Sequence, residues 1–289
     1  MARGKRRKLG QAALAALGVG VAWLLAVWPP PLWWRTHWPR ETAMMRWVAA
    51  RTGVPTPVRG GPIPLDSLSP LLQQAVILAE DDRFRTHHGI DIAEVAAVLG
   101  LDEGRGFWGT VRTVWHRRDR LRGASTITQQ LARNLYLSPS RNPLRKAKEA
   151  VTALRLELAL SKDRILELYL NLVEWGPGVW GADAASRTYF GVPPARLDLW
   201  EAASLAATLP HPRTSNPASR PARMMTRREL ILARYRGAAI EIPQIDELEL
   251  DSLPPPPVIT APLIPPVLES LMVDSVPPDS GRDTTGIGG

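Results

Sequence analysis

The chain contains no cysteine, which excludes a disulfide framework, a thiolate metal site and a cysteine nucleophile. No segment of strand length alternates apolar and polar residues, and no internal repeat occurs. A β-rich fold and a solenoid array are therefore excluded as the main architecture. Acidic side chains are also in deficit, 28 against 36 Lys and Arg, giving a formal charge of +8 and a pI near 10.4. That balance calls for a partner of opposite sign: nucleic acid, an anionic membrane surface or a phosphorylated substrate. What is present is otherwise ordinary for a globular chain, with 45% apolar and 22% charged residues. A length of 289 residues allows one sizeable domain with appendages, or two small ones.

Charge is missing altogether from one long run. "LGQAALAALGVGVAWLLAVW", Leu9 to Trp28, holds Gln11 as its only strongly polar residue. At 1.5 Å rise per residue, a helix of about 20 residues can cross the hydrocarbon core of a bilayer. The basic "ARGKRRK" before it favours a cytoplasmic N-terminus, and Trp28, Trp33, Trp34 and Trp38 suit a membrane–water interface. A cleaved signal peptide fits less well, because no small-x-small cleavage site follows. The expected organisation is a basic segment over 1–8, a transmembrane helix over 9–28, and an aromatic, Pro-rich linker over 29–66. A mostly helical domain follows over 67–240, then an acidic, Pro-rich tail over 241–289, expected to be disordered and too poor in periodicity for a second catalytic domain.

Within the domain, helix starts are marked by local chemistry. Ser69 precedes Pro70 and the apolar "LLQQAVILA"; Ser161 precedes "KDRILELYLNL" with Asp163 in the first turn. Thr126 with Gln129, and Asp198 with Glu201, have the spacing of capping boxes. Asn142 and Pro143 open "NPLRKAKEAVTALRLELAL", which repeats apolar residues at 144, 147, 151, 154 and 158 as an amphipathic helix does. In "GFWGTVRTVWHRRDRLR", Phe107, Val111, Val114 and Trp115 share a helical face ringed by arginines, the composition of a membrane-surface helix or of a solvated basic loop.

Three clusters could carry chemistry. "AEDDRFRTHHGID" ends an apolar helix in Glu80, Asp81 and Asp82, against the macrodipole; it is either a solvated helix end or a site with a carboxyl raised by the core's edge. "RGASTITQQLARN" offers free helix N-terminal N–H groups, hydroxyls, two glutamines and flanking arginines, suited to an anion or simply a capped helix. In "SRNPLRKAKEA", Lys146 and Arg145 stand three and four residues from Glu149, either a surface ion-pair network or a second carboxylate kept ionised by cations.

Taken in order, these stretches resemble the peptidoglycan glycosyltransferases of glycosyltransferase family 51. "EDDRFRTHHG" fits that family's E-D-x-x-F-x-x-H-x-G pattern, and "RGASTITQQLARN", "RKAKEAVTALRLE" and "SKDRILELYLN" are similar to its second, third and fourth motifs. "GPGVWGADAASRTYFG" with "LDLWEAASLAATLPHP" is similar to the fifth, so the likeness runs from about Ala75 to Pro217. With no transpeptidase domain, the chain resembles the monofunctional transglycosylase branch more than the bifunctional penicillin-binding proteins.

The resemblance implies a lysozyme-like, mostly α glycosyltransferase domain behind one transmembrane helix. It implies polymerisation of lipid II and the growing glycan chain at the outer face of the cytoplasmic membrane, by inverting single displacement with release of undecaprenyl pyrophosphate. Glu80 then matches the general base and Glu149 the second essential acid. Ser125, Thr126, Gln129, Gln130, Arg133, Asn134, Arg141 and Lys146 match the substrate- and pyrophosphate-binding positions. Asp81, Phe84, His87 and Gly89 match positions that hold the motif loop. The family usually has Lys where this chain has Arg133, which keeps the charge but exchanges a point charge for a planar fork. The resemblance implies no metal ligand set and no required cofactor, with a divalent cation allowed for. Cell-wall synthesis proteins are conceivable partners and nucleic acid is not. A lysozyme-like lytic glycosidase would need only a donor acid and water, leaving Lys146, Arg141 and the glutamine pair without a task, and a non-catalytic scaffold would not need both acids.

Overall fold

The computed structural model describes residues 2–52, 58–59, 61–99, 125–137, 143–219, 221–240 and 242. The arginine-ringed segment over 106–122, read as a surface helix or a solvated basic loop, the Asn142 cap and Arg141 lie outside these residues, as does the acidic tail apart from Ile242. The chain divides into Met1–Pro254 and Pro255–Gly289, and all described residues belong to the first unit.

Ten described helices follow in chain order: α1 (Ala2–Leu25), α2 (Ala43–Thr52), α3 (Pro70–Glu80), α4 (Ile92–Leu99), α5 (Ile127–Tyr136), α6 (Pro143–Ala159), α7 (Lys162–Leu172), α8 (Ala182–Phe190), α9 (Leu199–Thr208) and α10 (Pro221–Tyr235). The expected mostly helical class is what the structure has. α7 sits at the centre, with Ile165, Leu166, Leu168, Tyr169, Leu170 and Leu172 all buried, as a helix apolar around most of its circumference must be. α5 packs on α6, α7 and α2, while α9 packs on α3 and α10. In the contact of α9 with α3, the small Ala202, Ala203 and Ala206 share one core with Leu72, Ala75 and Val76. Small side chains let helix axes approach closely.

A small sheet, unannounced by the sequence, completes the domain. Strands β1 (Val58–Arg59), β2 (Glu174–Gly176) and β3 (Val179–Trp180) lie in the order β1-β3-β2, parallel between β1 and β3 and antiparallel between β2 and β3. Strands of two or three residues are too short to show a period of two. Gly181, leaving β3 at φ +83°, passes so close to α7 that a Cβ would lie 2.7 Å from the Asn171 carbonyl oxygen.

Three expectations change in detail. First, Ser69 stands at the N-cap of α3, but its hydroxyl donates to the Leu197 carbonyl (2.9 Å) rather than accepting from the helix. Second, the 29–66 segment contains α2, whose Met45 and Val48 join the core, and a 3-10 turn at Pro31–Arg35 whose Trp34 donates Nε1–H to the Tyr136 hydroxyl at 2.6 Å. Third, the expected transmembrane helix over 9–28 finds no support. α1 closes at Leu25, and among the described residues no helix is long and apolar enough to cross a membrane.

Candidate active site

α3 ends at Glu80, and its last turn delivers that carboxylate to a buried position, 8% exposed. Oε2 accepts from the Gln130 side-chain amide at 2.9 Å, and Oε1 pairs with Arg227 Nη2 at 3.2 Å. Gln130 is itself oriented, because the buried Tyr169 hydroxyl donates to its Oε1 at 2.9 Å. That bond fixes which end of the amide carries hydrogens, and so makes Gln130 a donor to Glu80. Burial pushes the Glu80 carboxyl above its ordinary value, and Arg227, Gln130 and Arg133 pull it partway back. The result is a carboxylate more basic than a solvated one but still supported by cations.

The next residue does a different job. Asp81 accepts the backbone N–H of Ile127, the first residue of α5, at 2.9 Å, and faces His87 Nε2 at 2.8 Å. Gly89 N–H donates to His87 Nδ1 at 3.2 Å, so Nε2 carries the ring proton and donates to Asp81. Thr126 Oγ1 donates to the Gly89 carbonyl at 2.7 Å and closes the ring. Gly89 adopts φ +88°, and a Cβ there would sit 3.2 Å from the Ala153 backbone. Phe84 is fully buried, edge-on to His87. This loop ties the end of α3 to the start of α5. Asp81, His87 and Asp91 bring three ligand-capable atoms within 4.8 Å, yet Arg83 bonds Asp91 at 2.7 Å and Asp81 is used as described.

α5 begins with the capping box expected of Thr126 and Gln129, whose backbone and side-chain bonds are both 3.1 Å. Gln129 therefore spends its carbonyl oxygen on the cap, while Gln130, one position on, turns to Glu80. Asn134 is buried and donates to the Leu172 carbonyl at 2.9 Å, which ties α5 to α7. Arg133 is half-buried, and its charge acts on both Glu80 and Lys146.

Glu149 lies in the second turn of α6 and is 1% exposed. Arg145 Nη1 reaches its Oε2 at 2.6 Å, and Lys146 Nζ bonds Oε1 and also donates to Ser125 Oγ at 2.8 Å. The surface-network alternative is thereby set aside. Burial lowers the Lys146 ammonium, and Glu149 opposes that fall. Ser125 and Gln130 thus join two carboxylates across the N-terminal turn of α5, with Arg133 between them electrostatically. One is basic and braced by an amide; the other is held among cations.

Sequence reasoning missed Arg227 and Tyr169 as parts of this site. Arg227 comes from α10, 147 residues from Glu80, and also donates to the Ala79 carbonyl at 3.0 Å. Nothing in "RMMTRREL" distinguishes it from its arginine neighbours.

A family model described as Transglycosylase matches residues 50–236. The chain is 44% identical over 210 residues to the biosynthetic peptidoglycan transglycosylase of Azoarcus sp., covering 72% of this chain and 86% of that protein. It is 40% identical over 235 residues to the protein of the same name from Thiobacillus denitrificans, covering 80% and 96%. With the Burkholderia cenocepacia protein of that name the identity is 41% over 209 residues, covering 71% and 80%.

Proposed function

The chain belongs to the transglycosylase family, and from that premise we propose that Glu80 is the general base by which it joins lipid II units into glycan strands. The protein is a peptidoglycan glycosyltransferase of cell-wall synthesis, as its relatives' names and the family match together state. The observation that carries the chemical reading is the pairing of a buried, base-strengthened Glu80 with a cation-wrapped Glu149 on either side of one helix start.

In this reading Glu80 removes the proton from the acceptor 4-hydroxyl as that oxygen attacks the anomeric carbon of the donor chain. The C–O bond to pyrophosphate breaks as the new bond forms, inverting an α-linkage to β-1,4, and the electron pair leaves with undecaprenyl pyrophosphate. Gln130 orients the base, and Arg227 favours its ionised form against the effect of burial. Lys146, Arg133 and the Ser125 hydroxyl offer positive charge and hydrogen bonds to the leaving pyrophosphate, whose charge grows in the transition state. Glu149 sets Lys146 and Arg145 in place.

We assign α1 as the membrane tether, with its N-terminus cytoplasmic and the catalytic domain outside the inner membrane. The uncharged run over 9–28, the basic residues before it and the exposed Leu14, Leu17, Val19 and Leu25 support that assignment. Incubation of the purified protein with lipid II, and separately with finished glycan strands, separates this reading from a lytic one. Lengthening of strands from lipid II is expected. Shortening of finished strands without polymerisation would place the protein among hydrolases.

A further inference from the structure

Both oxygens of Glu80 face donors. Oε1 meets Arg227 Nη2 at 3.2 Å, and Oε2 meets the Gln130 amide nitrogen at 2.9 Å. The two donors are not equivalent. A guanidinium carries five N–H groups and no acceptor, whereas a carboxamide presents either hydrogens or an oxygen according to how it is turned. Of the pair, only Gln130 could accept from a protonated Glu80, and only by turning over. Two further contacts decide its orientation. The Tyr169 hydroxyl donates to Oε1 at 2.9 Å, and Nε2 also lies 3.5 Å from the Ser125 carbonyl oxygen. Tyr169 is 1% exposed and comes from the central helix α7. Burial, and next the charge of Glu80, push its phenol well above the ordinary 10.0, so the hydroxyl keeps its proton.

We propose, on the glycosyl-transfer reading above, that Tyr169 is a positioning residue that commits Glu80 to the role of base. It does so by holding the Gln130 amide with its hydrogens toward the carboxylate, which denies a protonated carboxyl an acceptor on that side. A carboxyl that acts as an acid must hold its proton before the reaction, and one that acts as a base must not. With the amide turned over, its oxygen would accept from protonated Glu80 but would also face the Ser125 carbonyl. The Tyr169 O–H would then lose its acceptor inside the core. Both consequences disfavour the acid form. Phe at position 169 keeps the ring and removes the hydroxyl, which frees the amide to follow the protonation of Glu80.

Other charges act on the pair from each neighbouring element. Arg227 on α10 and Arg133 on α5 favour the carboxylate, and Asp81, the next residue in the chain, joins Glu80 in raising the Tyr169 phenol. α9, which also packs on α3, carries Glu201, whose side chain accepts from the backbone of its own cap, Asp198. None of these groups changes when Gln130 turns. The Tyr169 effect is therefore separable from theirs by a double-mutant cycle, because it must vanish when the amide is absent.

The test is the titration of the Glu80 carboxyl in the full chain in detergent, followed by carbon NMR of isotopically labelled glutamate and assigned with Glu80→Gln. Wild type is compared with Tyr169→Phe, Gln130→Leu and the double variant, and kcat/KM for lipid II is measured against pH on each. Tyr169→Phe should move the Glu80 midpoint to higher pH, by about tenfold in the protonation equilibrium, the size of one hydrogen bond. The acidic limb of kcat/KM should move with it, while KM on the plateau stays at the wild-type value. Gln130→Leu alone should also raise the midpoint, and adding Tyr169→Phe to it should change nothing further. An unmoved midpoint in Tyr169→Phe overturns the proposal. An equal shift with and without the amide also overturns it, in favour of a general packing effect. Should Tyr169→Phe fail to fold, an unmoved midpoint in Gln130→Leu overturns the proposal by itself. The midpoint is read without turnover, so failure of the glycosyl-transfer reading is distinct: it leaves the midpoint shift intact and the acidic limb unmoved.

Discussion

At the residue scale the site turns on how burial and the neighbouring cations oppose one another at Glu80. Burial raises its pKa from an ordinary 4.5, and Arg227 limits the rise. The folded state thus binds the proton more readily than the unfolded chain. The stability tied to this group is fully present below pH 4.5 and is lost as pH rises through the folded value, so Glu80 costs stability wherever it is ionised. With Glu80 as the proposed base, activity is expected to run the other way and to fall as pH drops through the same value. Replacing Arg227 by Met removes the cation and should move the acidic limb of the kcat/KM profile to higher pH, while Arg227→Lys should return it most of the way. An acidic limb that does not move in Arg227→Met would show that the guanidinium does not tune the base. None of this pairing was legible in the sequence, because the partner lies 147 residues away among similar arginines.

At the scale of elements, what the sequence announced was what is local. The capping boxes at Thr126–Gln129 and Asp198–Glu201 formed as their spacing required, and Ser161 caps α7. Each is decided within four residues, so no distant packing can overrule it cheaply. The strands were illegible because two residues carry no period, and α2 because its Gly- and Pro-rich flanks read as a linker. In α6 the period of the apolar repeat was right, but periodicity cannot tell which side of a helix meets the core when the other side holds Glu149, Thr152, Ala153 and Leu156. Thr126 is a sharp probe at this scale, since its hydroxyl both accepts the Gln129 N–H and donates to the Gly89 carbonyl. Thr126→Ala should lower unfolding free energy by about 1–2 kcal/mol in denaturant melts. Thr126→Ser should recover most of that loss, and an alanine variant as stable as the parent would remove the brace from this description.

For the whole molecule, the +8 charge and pI near 10.4 take on a direction once the fold is known. Arg133, Arg145 and Lys146 gather at the site, where they are proposed to meet the leaving pyrophosphate, and Lys148 and Arg155 lie on the other side of α6 against α1. Turnover on vesicles should therefore depend on anionic lipid and decline as salt rises, since a screening length near about 8 Å at physiological ionic strength weakens contacts made at the surface. The measurement is the initial polymerisation rate at fixed lipid II across a salt series, on vesicles with and without phosphatidylglycerol. A rate indifferent to both would sever the charge from membrane engagement. The most direct test of the central claim is strand synthesis from lipid II by wild type and Glu80→Gln side by side, with substrate binding measured on each. A loss of about 10²–10⁴-fold in turnover with binding retained is expected of a missing general base; polymerisation by Glu80→Gln within a few-fold of wild type would contradict it.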